Sequence, residues 1–238
     1  MKLALVGGEE FADGFEPVHE TLLRPLKDGH SHGVYLPTCA AHDGLAVVQS
    51  WCQRAQDRLS PYSARVDAPP VIDKRSASDP AILTLLTEAD WIYLGGGFPN
   101  TGMSILENTP AMAALVGAAG RGTLIIGASA GAMLMCGRSV AVTPRFAEDD
   151  RPTLFDALGW VPGTLCLPHF NRSYAQHWLD MRPHFDSLTL LGIDEQTALA
   201  NPDGAWQALG RGAITVISPS GESNRYTSGQ HIALPIAP

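Results

Sequence analysis

The run Thr123-Leu124-Ile125-Ile126-Gly127-Ala128-Ser129-Ala130-Gly131-Ala132-Met133-Leu134-Met135-Cys136 decides the fold. Thr123–Ile126 is apolar and β-branched, which predicts a buried strand, and the small and apolar residues Ala130–Cys136 predict a helix. Between them, Gly127-Ala128-Ser129-Ala130-Gly131 fits G-x-S-x-G, in which a serine sits on a tight turn from strand to helix. Such a turn lifts the hydroxyl out of the sheet and crowds the flanking positions, so small residues are needed there. The helix that follows directs its N-terminus, and the Ala130 amide, at a reacting carbonyl. Five residues alone are unspecific, and a tight small-residue turn with an idle serine is the other reading. Context favours the first.

Outward from this run, short strands alternate with helical patterns. Lys2–Val6 is an apolar strand stopping at Gly7-Gly8, and Trp91–Leu94 is one ending in Gly95-Gly96-Gly97. Thr164–Leu167 leads into Pro168-His169-Phe170, and Leu188–Ile193 ends at Asp194-Glu195. Helices are expected at Asp43–Leu59, capped by Asp43, and from Ser78 or Asp79 to about Glu88 with Pro80 in the first turn. Two more are expected at Thr109–Ala119 and Ser173–Phe185. Arg65–Asp67 and Val71–Asp73 read as strand pieces around Pro69-Pro70. Beyond the Asn201–Gly204 turn, short strands are expected at Trp206–Leu209, Ala213–Ile217 and Ile232–Leu234. Continuous apolar strands between helices indicate an α/β fold with three α/β/α layers, its sheet mostly parallel and covered on both faces. No linker divides residues 1–238, so one domain is expected. In such sheets the working residues gather at the carboxyl ends of the strands. The glycine runs, Ser129 and His169 would then share one rim.

Composition narrows the partners. Lys and Arg number 16 against 24 Asp and Glu, a formal net charge of −8, with no basic cluster. Neutralising phosphates needs a basic face, so nucleic acid is not an expected partner. No apolar stretch of about 18 residues exists to span a membrane. The opening apolar run is too short for a signal-peptide core and meets Glu9-Glu10 at once. Cys39, Cys52, Cys136 and Cys166 are far apart, so four free thiols and a cytoplasmic setting are expected.

A serine hydroxyl is a weak nucleophile until a base takes its proton. His169 is the candidate, held between Pro168 and Phe170 at a strand end, whereas His177 and His184 read as surface or packing residues. An acid must then orient the imidazole, and Asp194-Glu195 supplies one. Alternation along a strand lets one of the two face the site, and Glu195 is preferred. The order serine, histidine, acid differs from the serine, acid, histidine order of α/β-hydrolases. It is similar to the class I glutamine amidotransferase arrangement, with serine in place of cysteine at the elbow.

Gly95-Gly96-Gly97, Gly127–Ala132, Pro168-His169-Phe170 and Gly192–Leu199, with the opening Val6-Gly7-Gly8-Glu9, together resemble the peptidase E and cyanophycinase family of serine peptidases. The resemblance implies a flavodoxin-like, class I glutamine amidotransferase-like fold and a triad of Ser129, His169 and Glu195. It also implies an oxyanion hole from the amides of Gly97 and Ala130, and no metal or organic cofactor. The family usually has Asn directly after the glycines, where this chain has Phe98-Pro99-Asn100. Asn100 substitutes from a shifted loop, or the contact is absent. Asn171-Arg172 either places a guanidinium near a substrate carboxylate or leaves Arg172 a surface residue.

His30, His32, Cys39 and His42 carry metal-ligand chemistry, but their spacing fits no closed four-ligand pattern, and a loop without metal is preferred. The glycine runs lack phosphate-loop spacing. The resemblance to peptidase E and cyanophycinase implies hydrolysis of small aspartyl peptides, Asp-X or β-aspartyl, through an acyl-enzyme, and a monomer or homodimer is expected. A non-catalytic module of the same fold that binds a ligand or partner is the alternative, and an esterase a third reading.

Overall fold

The computed structural model describes residues 1–143, 152–172 and 175–237. In the first half the strands are β1 (Lys2–Val6), β2 (His32–Leu36), β3 (Arg65–Asp67), β4 (Trp91–Leu94) and β5 (Leu124–Ala128). The helices among them are α1 (Glu16–Leu23), α2 (Leu45–Leu59), α3 (Pro80–Glu88), α4 (Pro99–Leu106) and α5 (Pro110–Gly120). After the elbow come α6 (Ala130–Met135), β6 (Cys136–Val140), β7 (Leu154–Asp156), β8 (Val161–Leu167) and α7 (Ala175–Asp180). The chain finishes with β9 (Thr189–Ile193), β10 (Thr197–Ala200), β11 (Trp206–Gly210), β12 (Ala213–Ile217), β13 (Ser223–Thr227) and β14 (His231–Ile232).

These strands build two sheets, where one was expected. The first runs β14-β11-β10-β1-β5-β4-β2-β3, parallel from β1 through β3 and antiparallel from β1 outward to β14. The second runs β13-β12-β9-β8-β6-β7, with only β9-β8-β6 parallel. The strands carrying His169 and Glu195 at their ends, β8 and β9, thus belong to a different sheet from Ser129. Apolar periodicity shows that a strand is buried but not which strand it pairs with.

Alternation sorts the first sheet's side chains into two cores. Leu3, Leu5, Ile92 and Ile125 face α3, α5 and the second sheet, while Ala4, Val6, Tyr93 and Ile126 face α1 and α2. Helices therefore cover both faces of the parallel strands. Helix starts follow local chemistry: the Asp79 carboxylate accepts from Ala81 N–H at 2.9 Å and Thr109 Oγ1 from Met112 N–H at 3.3 Å, each with proline in the first turn.

Several local expectations shift. Thr38–Asp43 forms a 3-10 turn, so α2 starts after Gly44 rather than at Asp43. Val71–Asp73 is no strand, because Ser76 Oγ accepts from both Ile72 and Asp73 N–H at 3.0 Å and turns the chain. His32, read as loop, opens β2 because its main-chain N–H reaches Asp90 Oδ2 at 2.8 Å and its ring reaches Asp67 at 2.7 Å. The helix expected at Ser173–Phe185 becomes α7 and a separate 3-10 turn, Arg182–His184; Ser173 and Tyr174 lie outside the described residues. All four cysteines are free and buried.

The sheets meet at Gly7. A Cβ there would stand 2.2 Å from the Asp194 carbonyl oxygen and 2.4 Å from that of Ile193, both main chain and unable to rotate away. Gly7→Ala should therefore destabilise the fold by about 2–3 kcal/mol, read as a lower urea midpoint at constant slope. Gly120→Ala, at a position with nothing within 4 Å, should stay level or gain up to about 1 kcal/mol.

Candidate active site

Ser129 joins β5 to α6 at φ 50° and ψ −113°, a strained conformation for a residue with a side chain. Its N–H donates to Val6 O at 2.9 Å and its carbonyl accepts from Met133 N–H at 3.0 Å, so main chain holds the turn on both sides. The pattern's second glycine is required by contact, since a Cβ on Gly131 would lie 2.1 Å from the Leu94 carbonyl oxygen. Ala130 occupies the first turn of α6, where an N–H has no intrahelical acceptor.

His169 follows β8 with φ 52°, and its N–H donates to Gly7 O at 2.8 Å. Its ring lies against Gly8, where a Cβ would stand 2.2 Å from Cε1. Nε2 is 3.0 Å from Ser129 Oγ and Nδ1 is 2.8 Å from Glu195 Oε1. A carboxylate only accepts, so the proton belongs on Nδ1 and Nε2 is left to accept from the serine hydroxyl.

Glu195 is held from three sides. Its main-chain N–H donates to Asn171 Oδ1 at 2.9 Å, Arg172 Nε donates to Oε2 at 2.7 Å, and the imidazole takes Oε1. Burial pushes this carboxyl up, but the bonds from Arg172 and His169 outweigh it and hold it below the usual value. Asp194 turns the other way, accepting from Ala213 N–H at 2.9 Å with Arg225 at 3.6 Å. The alternation left open in the sequence is resolved, with Glu195 facing the histidine.

Ser129 and His169 open onto a cleft of about 500 Å³, lined also by Gly96, Gly97 and the segment Glu9–Asp13. Asn171 and Arg172 are occupied with Glu195 and do not line it. Asn100 does not line it either, because its Oδ1 accepts from Val142 N–H at 3.0 Å. Phe98 meets His42 edge to face, with ring centroids 5.0 Å apart. Cys39 is buried, its thiol pushed up to about 12, and His32 is bonded to Asp67, so the sequence cluster of metal-ligand types has separate environments.

The cleft contains groups that the sequence did not mark. Arg54 and Arg58 enter from α2, with Trp51 beside them. Arg58 bonds Asp13 at 3.0 Å, whereas the Arg54 guanidinium lies over the Trp51 ring at 5.5 Å. Helical spacing marks the apolar face of α2 alone and says nothing of what its arginines meet. Glu10, 6% exposed, is the second omission. Burial raises its carboxyl to about 7, with the neighbouring Glu9 adding to the rise and Arg54 opposing it.

The model of peptidase family S51 matches residues 3–208, and the chain belongs to that family of serine peptidases. The peptidase E of Citrobacter koseri is 30% identical over 198 residues, covering 81% of this chain and 79% of its own. The cyanophycinase of Synechococcus elongatus is 29% identical over 173 residues, 70% of this chain and 53% of its own, so this chain spans about half of the cyanophycinase's length. A crystal structure of a peptidase from an acI-B1 actinobacterium superposes with a TM-score of 0.82 at 23% identity, covering 98% of this chain and 96% of that one. That likeness confirms the α/β fold with its sheets and helices. Among the described residues no helix is long and apolar enough to cross a membrane.

Glu10 sets a pH dependence. Its folded value of about 7 lies above the ordinary 4.5, so folding favours the protonated form. The stability it allows is complete below about pH 4.5 and is lost as pH rises through 7. Glu10→Gln should therefore raise stability at pH 8 by about 3 kcal/mol and leave it level at pH 4, measured by denaturant titration at both values.

Proposed function

We propose that the chain is a serine peptidase hydrolysing small aspartyl peptides, Asp-X or β-aspartyl, through an acyl-enzyme on Ser129, His169 and Glu195. The observation that carries this reading is the continuous relay from Glu195 Oε1 through both nitrogens of His169 to a serine on a strained elbow. In it Ser129 Oγ attacks the scissile carbonyl while His169 Nε2 takes its proton. The amides of Gly97 and Ala130 receive the developing oxyanion. His169 then gives the proton to the leaving amine, and the C–N bond breaks to leave the acyl ester. Water, deprotonated by the same nitrogen, releases the acid and restores the serine. Glu195 keeps the imidazole in the required tautomer and stabilises its charged form.

The aspartyl preference is supported by the likeness to peptidase E and by the charge in the cleft. Arg172, one candidate for the substrate carboxylate, is committed to Glu195. Arg54, unpaired with any carboxylate among the described residues and braced on Trp51, takes that place. Arg172 and Asn171 become positioning residues. We also read the whole chain as one unit of the class I glutamine amidotransferase-like, three-layer type, which the elbow and the helices on both faces of the parallel strands support.

Ser129→Ala should lower kcat/KM for an aspartyl dipeptide by roughly 10³- to 10⁶-fold with an unchanged circular dichroism spectrum. The parent chain, and not the variant, should be labelled by a fluorophosphonate. Retained turnover in the variant would refute the assignment, and absence of both turnover and labelling in the parent would favour a binding module. Arg54→Ala should raise KM for Asp-X about 10- to 100-fold, with kcat much less affected.

A further inference from the structure

Glu10 shares the cleft with Ser129 and His169 and follows Gly8, the residue packed on the histidine ring, by two positions. Apart from its own main-chain N–H, no group among the described residues donates to its carboxyl or pairs with it. The groups around it come from every neighbouring element. Glu9 and Arg54 lie within the cleft, Tyr35 and Tyr93 lie beneath on β2 and β4, and Glu16, His19 and Arg58 line a small cavity on its other side. The Tyr93 hydroxyl is itself buried without a partner. A buried carboxyl with no donor beyond its own N–H is costly, and that cost is met at binding sites where a ligand supplies the missing charge.

We propose that Glu10 binds the α-ammonium group of the substrate and restricts the enzyme to peptides with a free amino terminus. The inference rests on the peptidase reading above. In an Asp-X substrate the α-nitrogen of the first residue is two bonds from the carbonyl carbon that Ser129 attacks, so its partner must stand beside the nucleophile. Of the other acids lining the cleft, Asp13 is bonded to Arg58, and Glu9 and Asp43 are exposed to water. Glu10 alone is both buried and uncommitted, and a desolvated carboxylate attracts an ammonium more strongly than a solvated one. An arriving ammonium also favours the ionised carboxyl, which burial has brought to the edge of titration near neutral pH. With Arg54 in the same cleft, the site offers one anionic and one cationic anchor, the complement of an amino-terminal aspartyl residue.

The test compares aspartyl-leucine with N-succinyl-leucine, the same molecule lacking only the α-amino group. The parent chain should prefer aspartyl-leucine by about 10- to 100-fold in kcat/KM. Glu10→Gln, close in shape, should bring that ratio within about threefold of one, mainly through KM for the dipeptide. Continued fluorophosphonate labelling shows that the variant's elbow is intact. A parent ratio near one, or a ratio undiminished in Glu10→Gln, overturns the inference alone. Cleavage of neither compound by the parent overturns the Asp-X reading and this inference with it.

Discussion

Three consecutive carbonyls hold the site together. Val6 O accepts the N–H of Ser129, Gly7 O that of His169, and Gly8 O that of Gln196, the residue after Glu195, at 2.9, 2.8 and 2.9 Å. The first bond lies within the parallel sheet, and the other two cross to the loops that leave β8 and β9. A main-chain bond fixes position more tightly than a side-chain contact, because no rotamer can relax it. The side-chain distances of 3.0 and 2.8 Å in the Ser129–His169–Glu195 relay are consequences of that frame. So is the absence of side chains at Gly7 and Gly8, where Cβ atoms would meet Asp194 and the His169 ring.

The frame also carries strain. Ser129, His169 and Gln196 all have positive φ, at 50°, 52° and 53°, a region costing of order 1–3 kcal/mol per residue with a side chain. Each of the three donates to one of the three carbonyls, so the strain sits where the two sheets are joined. An extended serine would lie along β5 rather than rise from its end, and an extended His169 would continue β8 past the cleft.

Much of this was legible in the chain, and the remainder was not for identifiable reasons. Trp91–Leu94 and the strand before Ser129 announce themselves as unbroken apolar runs, fully buried as such runs must be. Ser223–Thr227 does not, because β13 is a mostly exposed, polar edge strand whose pairing with β12 is set by the hairpin. In the sequence Thr197–Ala200 stands out as part of a motif, and only the pairing shows it as the strand that flanks β1. The elbow, the histidine and the acid were readable because each ends a strand. Arg54 and Glu10 were not, since their meaning comes from sharing a cleft with Ser129, 75 and 119 residues further along the chain. Arg172 was noticed for its charge, but only the fold shows that its partner is Glu195.

Two carboxyl groups at the site, Glu195 and Glu10, have opposite surroundings. Glu195 receives bonds from His169 and Arg172 at its oxygens and is fastened to Asn171 through its N–H, so it stays ionised despite partial burial. Glu10 receives none of these and is pushed toward neutrality. Environments that separate two like groups in this way assign them different tasks. In the proposed reaction Glu195 must remain charged and fixed through every turnover, because the imidazolium forms beside it twice. Glu10 must instead exchange a cationic partner with each substrate, and any permanent donor at its carboxyl would compete with that ligand. A buried carboxyl left without side-chain partners destabilises the folded chain at neutral pH, and the same vacancy makes it selective for an ammonium.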